Sequence, residues 1–109
     1  MIIQAFVEAM QNKDHEALAE CFTETCRLFD YCPQLVGLEN FYTYGKRAID
    51  MFYHNRFLFR HFRITDARIV SDTQAYYYAV YDGYHVRALA TITEFSSDGL
   101  IERLVVRPA

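Results

Sequence analysis

Apolar residues at the start of the chain follow a helical spacing. The first ten residues place hydrophobic side chains every three or four positions, which predicts an amphipathic helix ending near residues 11–13. Asp14 then suits a helix N-cap, because its carboxylate can accept an unpaired backbone N–H. A second helix follows, with Ala17, Leu18, Cys21 and Phe22 on one face. The two helices are expected to form an αα-hairpin.

The next segment predicts a short strand, a turn and a long helix. Residues 26–31 alternate, so that Cys26, Leu28 and Asp30 share one face. Pro33 and Gly37 punctuate the turn after this strand. A helix from 38 to about 54 then carries an apolar stripe at helical spacing. The stripe consists of Leu38, Phe41, Tyr42, Gly45, Ala48, Ile49, Phe52 and Tyr53.

From residue 57 onward the hydrophobic period drops to two. We predict strands at 57–70, 74–81, 84–95 and 100–107, the last stopped by Pro108. Asp82 and Gly83 form a strong signal for a two-residue hairpin, and residues 96–99 predict a second one. Helices first and an antiparallel meander afterwards define an α+β fold, with a curved sheet wrapped around the long helix.

The strands predicted at 74–81 and 84–95 are apolar on both faces. In the first of these strands, Tyr77 and Ala79 lie on one face, and Tyr78 and Val80 lie on the other. Helices can cover only one sheet face, so the other face needs a different partner. Because two-fold dimers dominate soluble homo-oligomers, we predict a homodimer through the outer face of the sheet.

Composition excludes several classes of protein. The 109 residues fit a single domain, 1–109, and 52% hydrophobic content excludes disorder. The net charge is −3, and the arginines at 56, 60 and 63 alternate along a predicted strand and face solvent, so we expect no nucleic-acid partner. The chain has three cysteines without a CxxC pair, no signal peptide and no apolar run of about 20 residues. From these features we predict a cytoplasmic protein that does not enter membranes.

Four features of the chain form a recognisable pattern: residues 6–18 (FVEAMQNKDHEAL), residues 22–30 (FTETCRLFD), Gly37 before a long helix, and residues 98–101 (DGLI) before the last strand. These features give the chain a resemblance to the NTF2-like superfamily, which includes SnoaL-like polyketide cyclases and ketosteroid-isomerase-like enzymes. It covers the whole chain in element order and spacing. The resemblance implies a cone-shaped α+β fold (cystatin-like) with a deep apolar pocket between sheet and helix.

The resemblance also assigns roles to individual positions. In ketosteroid-isomerase-like members a general-base Asp ends the first strand, and Asp30 matches that place. The two positions that form their oxyanion hole correspond to Phe6 and Thr91 here. Phe6 has no hydrogen-bonding group and Thr91 offers a weak neutral one, so the resemblance does not imply steroid isomerisation.

Two residues are candidates for proton transfer. Asp30 serves either as a general base, if an apolar pocket raises its pKa, or as an acceptor for backbone N–H groups of the turn at 31–34. His61, placed mid-strand, either moves protons in the pocket or is a partly buried histidine bonded to a neighbour. The chain has no histidine or cysteine spacing typical of a metal site, and we predict neither metal nor cofactor.

The remaining candidates line the predicted pocket. Arg87 either holds an anionic group of a ligand or is a solvated or dimer-edge charge, depending on which face of its strand points inward. The sequence favours a SnoaL-like isomerase, cyclase or hydratase acting on a small apolar carbonyl compound, and the alternative is a non-catalytic ligand-binding or dimerisation module. Ligand contacts are predicted for Phe6, Leu28, Phe41, Phe52, Tyr78, Arg87 and Thr91.

Overall fold

The N-terminal helices form the hairpin that the sequence predicts. The computed structural model describes residues 1–59 and 61–109. Helix α1 (Ile2–Gln11) and helix α2 (His15–Glu20) are joined by a short turn. Asp14 is the N-cap of α2, and its Oδ1 accepts the Ala17 N–H at 3.0 Å. The predicted αα-hairpin and its cap are confirmed. The prediction of Phe22 on the second helix is wrong, because this helix ends at Glu20 and Phe22 begins the first strand, which was predicted only from residue 26.

A curved sheet of six strands makes up most of the described chain. Its spatial order is β2-β1-β6-β5-β4-β3. All neighbouring pairs are antiparallel except β1 and β6, which run parallel, so the predicted all-antiparallel sheet is wrong at this one pair. Parallel neighbours need a long crossover, and here most of the chain provides it. The strands are β1 (Phe22–Asp30), β2 (Phe41–Tyr44), β3 (Arg63–Ile69), β4 (Gln74–Tyr81), β5 (Tyr84–Phe95) and β6 (Ile101–Pro108).

The hairpin between β4 and β5 forms where the sequence places it. Asp82 and Gly83 have φ of 49° and 90°, the positive values that a type I′ turn requires at both central positions. Tyr81 and Tyr84 pair across the turn. Both strands have the predicted limits, which shows that local turn chemistry set their register.

The long helix begins later than predicted. Residues 41–44 form strand β2 along β1, and helix α3 (Lys46–Phe59) starts only after Gly45. The aromatic residues of this segment suit a strand as well as a helix stripe, and pairing with β1 decides in favour of the strand. Gly45 has φ of 87° and its N–H donates to the Cys26 carbonyl at 2.8 Å. It is therefore the joint between strand and helix, not a helix-interior residue.

The same helix also ends later than predicted. Phe57 and Phe59 belong to the last turn of α3, and β3 begins at Arg63. The predicted strand 57–70 is therefore wrong at residues 57–59, 61 and 62, and Arg60 lies outside the described residues. Ile49, Tyr53 and Arg56 follow helical spacing and are all buried, which is why the helix continues.

Helices and sheet enclose one apolar core on the inner face of the sheet. Alternate residues of β4 and β5 point inward, and helices α1 to α3 pack against them. The core side chains include Ile3, Phe6, Leu18, Leu28, Ile49, Tyr53, Tyr77, Ala88, Ala90, Ile101 and Leu104. The outer face of the sheet carries the other half of each strand.

Candidate functional site

A cleft of about 800 Å³ opens at the end of the sheet where β4 finishes. Four segments line it: the loop before β2, the first residue of β2, helix α3 from Phe52 onward, and the last residue of β4. Its walls combine aromatic rings with a few polar groups. The lining residues are Gly37, Leu38, Glu39, Asn40, Phe41, Phe52, Asn55, Arg56, Phe59 and Tyr81.

Arg56 is a buried cation in the wall of this cleft. Its side chain is only 7% exposed, and helix α3 turns it inward beside Tyr53 and Phe52. Five aromatic rings surround the guanidinium carbon at 4.5–5.9 Å, measured to the ring centroids. Cation–π contacts are worth about 2 kcal/mol or more when they are desolvated, so the rings offset part of the cost of burying this charge. The rings belong to Phe41, Phe52, Tyr53, Phe62 and Tyr81.

Asp30 is the anion that faces Arg56. It ends β1 on the inner face of the sheet and is 3% exposed. Its Oδ1 accepts the Cys32 N–H at 2.9 Å, and its Oδ2 lies 3.4 Å from Nη1 of Arg56. The N–H acceptor interpretation of Asp30 is thus observed for one carboxylate oxygen, while the other oxygen points at the buried cation.

The pKa of Asp30 reflects a competition between burial and pairing. Burial raises the pKa of this carboxyl, whereas the Cys32 N–H and the Arg56 guanidinium lower it, and the effect of burial is larger. The 3.4 Å separation from Arg56 is longer than a strong charge-assisted hydrogen bond, which agrees with incomplete compensation. A carboxyl with a raised pKa accepts a proton more readily than a surface aspartate.

Tyr81 lines the same cleft, but its hydroxyl oxygen is buried and is not exposed to it. The side chain is 2% exposed, and among the residues that the structure describes its hydroxyl has no hydrogen-bond partner. Burial raises the pKa of this phenol, so it remains protonated and able to donate. An unpaired buried hydroxyl costs about 1–3 kcal/mol of stability.

The Cys32 thiol, next to Asp30, is not reactive. Burial and the adjacent Asp30 carboxylate raise the pKa of Cys32 to about 12, so its thiol is not ionised at neutral pH. A nucleophilic cysteine requires a thiolate. Cys21 and Cys26 are also buried free thiols with pKa values raised by burial to about 11. None of the three cysteines is poised as a nucleophile.

The structure brings three of the predicted site residues together. Phe41 and Phe52 line the cleft with their rings stacked 4.0 Å apart, and Asp30 lies behind them at Arg56. Phe6 and Leu28 are fully buried in the core and do not line the cleft. Phe6 packs edge-on against Phe22, so its predicted ligand contact has no counterpart in this cleft.

Three other predicted ligand contacts lie on the opposite face of the sheet. The inward residues of β5 are Val86 and its alternating neighbours, so Arg87 and Thr91 point outward. Arg87 stacks over Tyr76 at 4.8 Å, and Thr91 accepts a hydrogen bond from Gln74. Tyr78 shares this outer face and is 37% exposed. The solvated or dimer-edge interpretation of Arg87 is the one that its position supports.

His61 does not occupy the predicted mid-strand position. It lies in the connection between α3 and β3, is exposed, and has φ of 49°. The prediction failed because the helix continues through Phe59, which removes the alternation that placed His61 among pocket residues. His61 is not among the residues that line the cleft.

Sequence reasoning missed Arg56 and Tyr81. Arg56 was expected to face solvent on a strand, and it is instead the most buried arginine of the described chain. The available signal was its spacing of three and four residues from Tyr53 and Phe52, which continues the apolar stripe of α3. Tyr81 had the weaker signal of ending an inward-facing alternation directly before a hairpin turn.

Comparison with known proteins identifies the family. A family model described as a SnoaL-like domain matches residues 3–104, and the chain therefore belongs to the SnoaL-like domain family. The predicted resemblance and the α+β fold class are confirmed. No curated protein matches the sequence.

Solved structures agree on the fold at low sequence identity. A Catenulispora acidiphila protein with a ketosteroid isomerase-like fold, solved with trimethylamine, is 15% identical, with a TM-score of 0.67 over 99% of this chain and 85% of its own. An NTF2-like protein of unknown function from Cytophaga hutchinsonii is 13% identical, with a TM-score of 0.68 over 99% and 87%. A cystatin-like domain of unknown function from Nostoc punctiforme is 16% identical, with a TM-score of 0.60 over 99% and 73%.

Two further observations concern metals and membranes. Within residues 1–59 and 61–109, no three His, Cys, Asp or Glu side chains form a group suited to a metal ion. In the same part of the chain, no helix combines the length and apolar character needed to cross a bilayer, and α3 has 14 residues.

Proposed function

We propose that this SnoaL-like domain binds a small, largely apolar carbonyl compound in the aromatic cleft and uses Asp30 to accept a proton from it. One observation carries the proposal: a buried carboxyl of raised pKa lies directly behind the wall of the cleft, beside a buried arginine. The family and the fold support a small-molecule site in general. The reaction class would be an isomerisation, cyclisation or hydration that needs no cofactor.

The chemistry of the cleft supports this class of ligand. Phe41, Phe52 and Phe59 supply apolar contact area, and Arg56 supplies a positive charge for an electronegative atom. A carbonyl oxygen directed at Arg56 brings the carbon next to it toward Asp30, which a general base requires. The aromatic rings around Arg56 are already occupied by a cation, so this chain favours a carbonyl or an anion over an amine such as the trimethylamine bound to the Catenulispora protein.

Exchange of carbon-bound protons tests the proposal without knowledge of the natural substrate. A panel of small aryl and alkyl ketones is incubated with the protein in D₂O, and loss of the protons next to the carbonyl is followed by NMR. Wild type should accelerate exchange for the ketones that bind, and Asp30→Asn should abolish the acceleration while it keeps the fold. Asp82→Asn, in the exposed β4–β5 turn, is the matched control and should exchange like wild type.

Retained exchange in Asp30→Asn would remove Asp30 from the role of base. Ketone binding with no acceleration in wild type would favour the non-catalytic alternative, a ligand-binding module. That alternative has its own support, because the Cys32 N–H and Arg56 occupy both oxygens of Asp30 in the way a structural ion pair does.

We also propose that the outer face of the sheet forms a homodimer. Tyr76, Tyr78 and Leu89 present apolar surface there, and the helices cover only the other face. Sedimentation equilibrium measures the oligomeric state, and Leu89→Lys should shift a dimer toward monomer. A monomer at every concentration of the wild-type protein would contradict the proposal.

A further inference from the structure

Positive charge on the outer face of the sheet is concentrated around the apolar residues of the proposed homodimer. Strand pairing places the side chains of this region in three rows of cross-strand neighbours. The first row is Arg68, Tyr76, Leu89 and Arg107, the second is Thr65, Tyr78 and Arg87, and the third is Arg63, Val80 and His85. We call these three rows the arginine patch. It holds four arginines and a histidine, none of its positions is acidic, and Asp66 lies in the irregular part of β3 outside it.

The four arginines of the patch are exposed, and none of them has an ion-pair partner within residues 1–59 and 61–109. Arg87 lies over Tyr76 and Arg107 over Tyr31, each with its guanidinium carbon 4.8 Å from the ring centroid. An arginine that stacks on a ring still presents N–H groups to an acceptor. Elsewhere on the same face, the charge of Arg27 is paired with Glu94. The patch therefore carries positive charge that no ion pair of the described residues compensates.

A second copy of the chain on this patch brings like charges together. In a two-fold interface the same surface meets itself, so the arginines of one copy face those of the other. Contact between the copies also removes the water that screens these charges. Like charges across an interface oppose association. The apolar contact offered by Tyr76, Tyr78 and Leu89 is therefore in conflict with the charges around it, and an anion between the copies removes that conflict.

We propose that the arginine patch binds a multivalent anion, inorganic phosphate or one of the same type, between two copies of the chain, and that dimerisation depends on this anion. The inference rests on the proposed homodimer and is independent of the chemistry proposed for the cleft. Guanidinium groups bind phosphate through paired N–H donors, and phosphate has enough oxygens to accept from both copies at once. Arg87, which the sequence analysis considered as either an anion ligand or a dimer-edge charge, has both roles in this arrangement.

Sedimentation equilibrium in two buffers tests the dependence on the anion. Wild type is compared in sodium chloride and in sodium phosphate at the same pH and ionic strength, so that general screening is equal. The dissociation constant of the dimer should be about tenfold lower in phosphate, the effect of a charge-assisted contact. The double variant Arg68→Gln with Arg87→Gln should dimerise in chloride more tightly than wild type and lose the effect of phosphate. The control, Arg27→Gln with Arg47→Gln, removes the same charge outside the patch and should keep the effect.

The possible results separate this inference from the homodimer on which it rests. A dimer of equal strength in chloride and phosphate would keep the homodimer and overturn the anion site. A monomer in both buffers would overturn both, while ketone exchange still tests the cleft by itself. An equal effect of phosphate on the two double variants would show that the anion acts away from the patch. A single-stranded oligonucleotide that binds wild type and prevents dimerisation would assign the patch to nucleic acid, and the proposed occupant would be wrong.

Discussion

Two arginines of this protein make the same contact in opposite surroundings. Arg56 lies 4.8 Å from the ring centroid of Phe52, and Arg107 lies 4.8 Å from that of Tyr31. Arg56 is buried, with four more rings and a carboxylate around it. Arg107 is exposed on the outer face of the sheet, over a tyrosine that is itself 39% exposed. The two contacts differ in their exposure to solvent and not in their distance.

This comparison shows why Arg56 belongs to the candidate site while Arg107 makes only an exposed surface contact. Water screens the charge of Arg107 and competes for its donors, so its contact is worth about 0.5–1 kcal/mol. Burial removes that competition at Arg56, which strengthens its attraction for rings and anions and makes loss of a partner expensive. A charge held in this way can act on a ligand that enters the cleft.

The largest effect should come from Arg56→Met, which keeps much of the side-chain volume and removes the charge. Asp30 then remains buried without its cation, and breaking such a pair lowers the free energy of unfolding by about 3–5 kcal/mol. Urea denaturation at neutral pH measures the loss. The double variant Asp30→Asn with Arg56→Met should be less destabilised than the sum of the two single variants, because it leaves no buried charge unpaired. Additive losses would show that the two side chains are not coupled.

An intermediate effect should appear in the dependence of stability on pH. The native pKa of Asp30 is raised above the unfolded value of about 3.9, so between these two values the native state binds more protons than the unfolded state. The free energy of unfolding therefore falls as pH rises through this window, by about 1.4 kcal/mol for each unit of pKa difference. At a pH below both pKa values, Asp30 does not change the free energy of unfolding with pH.

Urea midpoints of wild type and Asp30→Asn across this window measure the effect. Wild type should lose stability relative to Asp30→Asn as pH rises above about 4, whatever the constant offset between them. A relative gain by wild type would mean that Arg56 dominates and that the native pKa of Asp30 is lowered. That outcome would also weaken the case for Asp30 as a base near neutral pH.

The smallest effect should come from Arg107→Met. This variant removes an exposed cation–π contact at the same distance as that between Arg56 and Phe52, so it should cost less than about 1 kcal/mol and become weaker still at high salt. The same denaturation assay gives the value. A loss as large as that of Arg56→Met would show that burial does not explain the difference between the two arginines.

Local signals in the sequence were sufficient for much of the fold. The cap at Asp14, the paired positive φ values at Asp82 and Gly83, and the shared face of Cys26, Leu28 and Asp30 each follow from a few neighbouring residues. The limits of β4 and β5 follow from strict alternation between two strong turns. Asp30 and two aromatic walls of the cleft could be selected on the same basis.

Aromatic residues in the middle of the chain could not be assigned in this way. Phe41 and Tyr42 fit a helix stripe as well as a strand, and only pairing with β1 distinguishes the two. Phe57 and Phe59 fit a strand as well as the end of a helix, and packing against the core decides for the helix. The second of these boundary errors accounts for the wrong position of His61 and for the solvent exposure expected at Arg56.

Outside residues 41–44 and 57–59, the sequence by itself determined most element types, and it also determined the family and the carboxylate that ends β1, because these depend on local periodicity, turn chemistry and spacing. Only the tertiary structure decided which strand faces point inward, and thus that Arg87 and Thr91 lie outside while Tyr81 lies within. It also decided that Arg56 meets Asp30 across 26 positions of sequence. Contacts between distant elements are set by the packing of the whole core, in which a one-residue change of register or a shifted helix end redirects every side chain that follows.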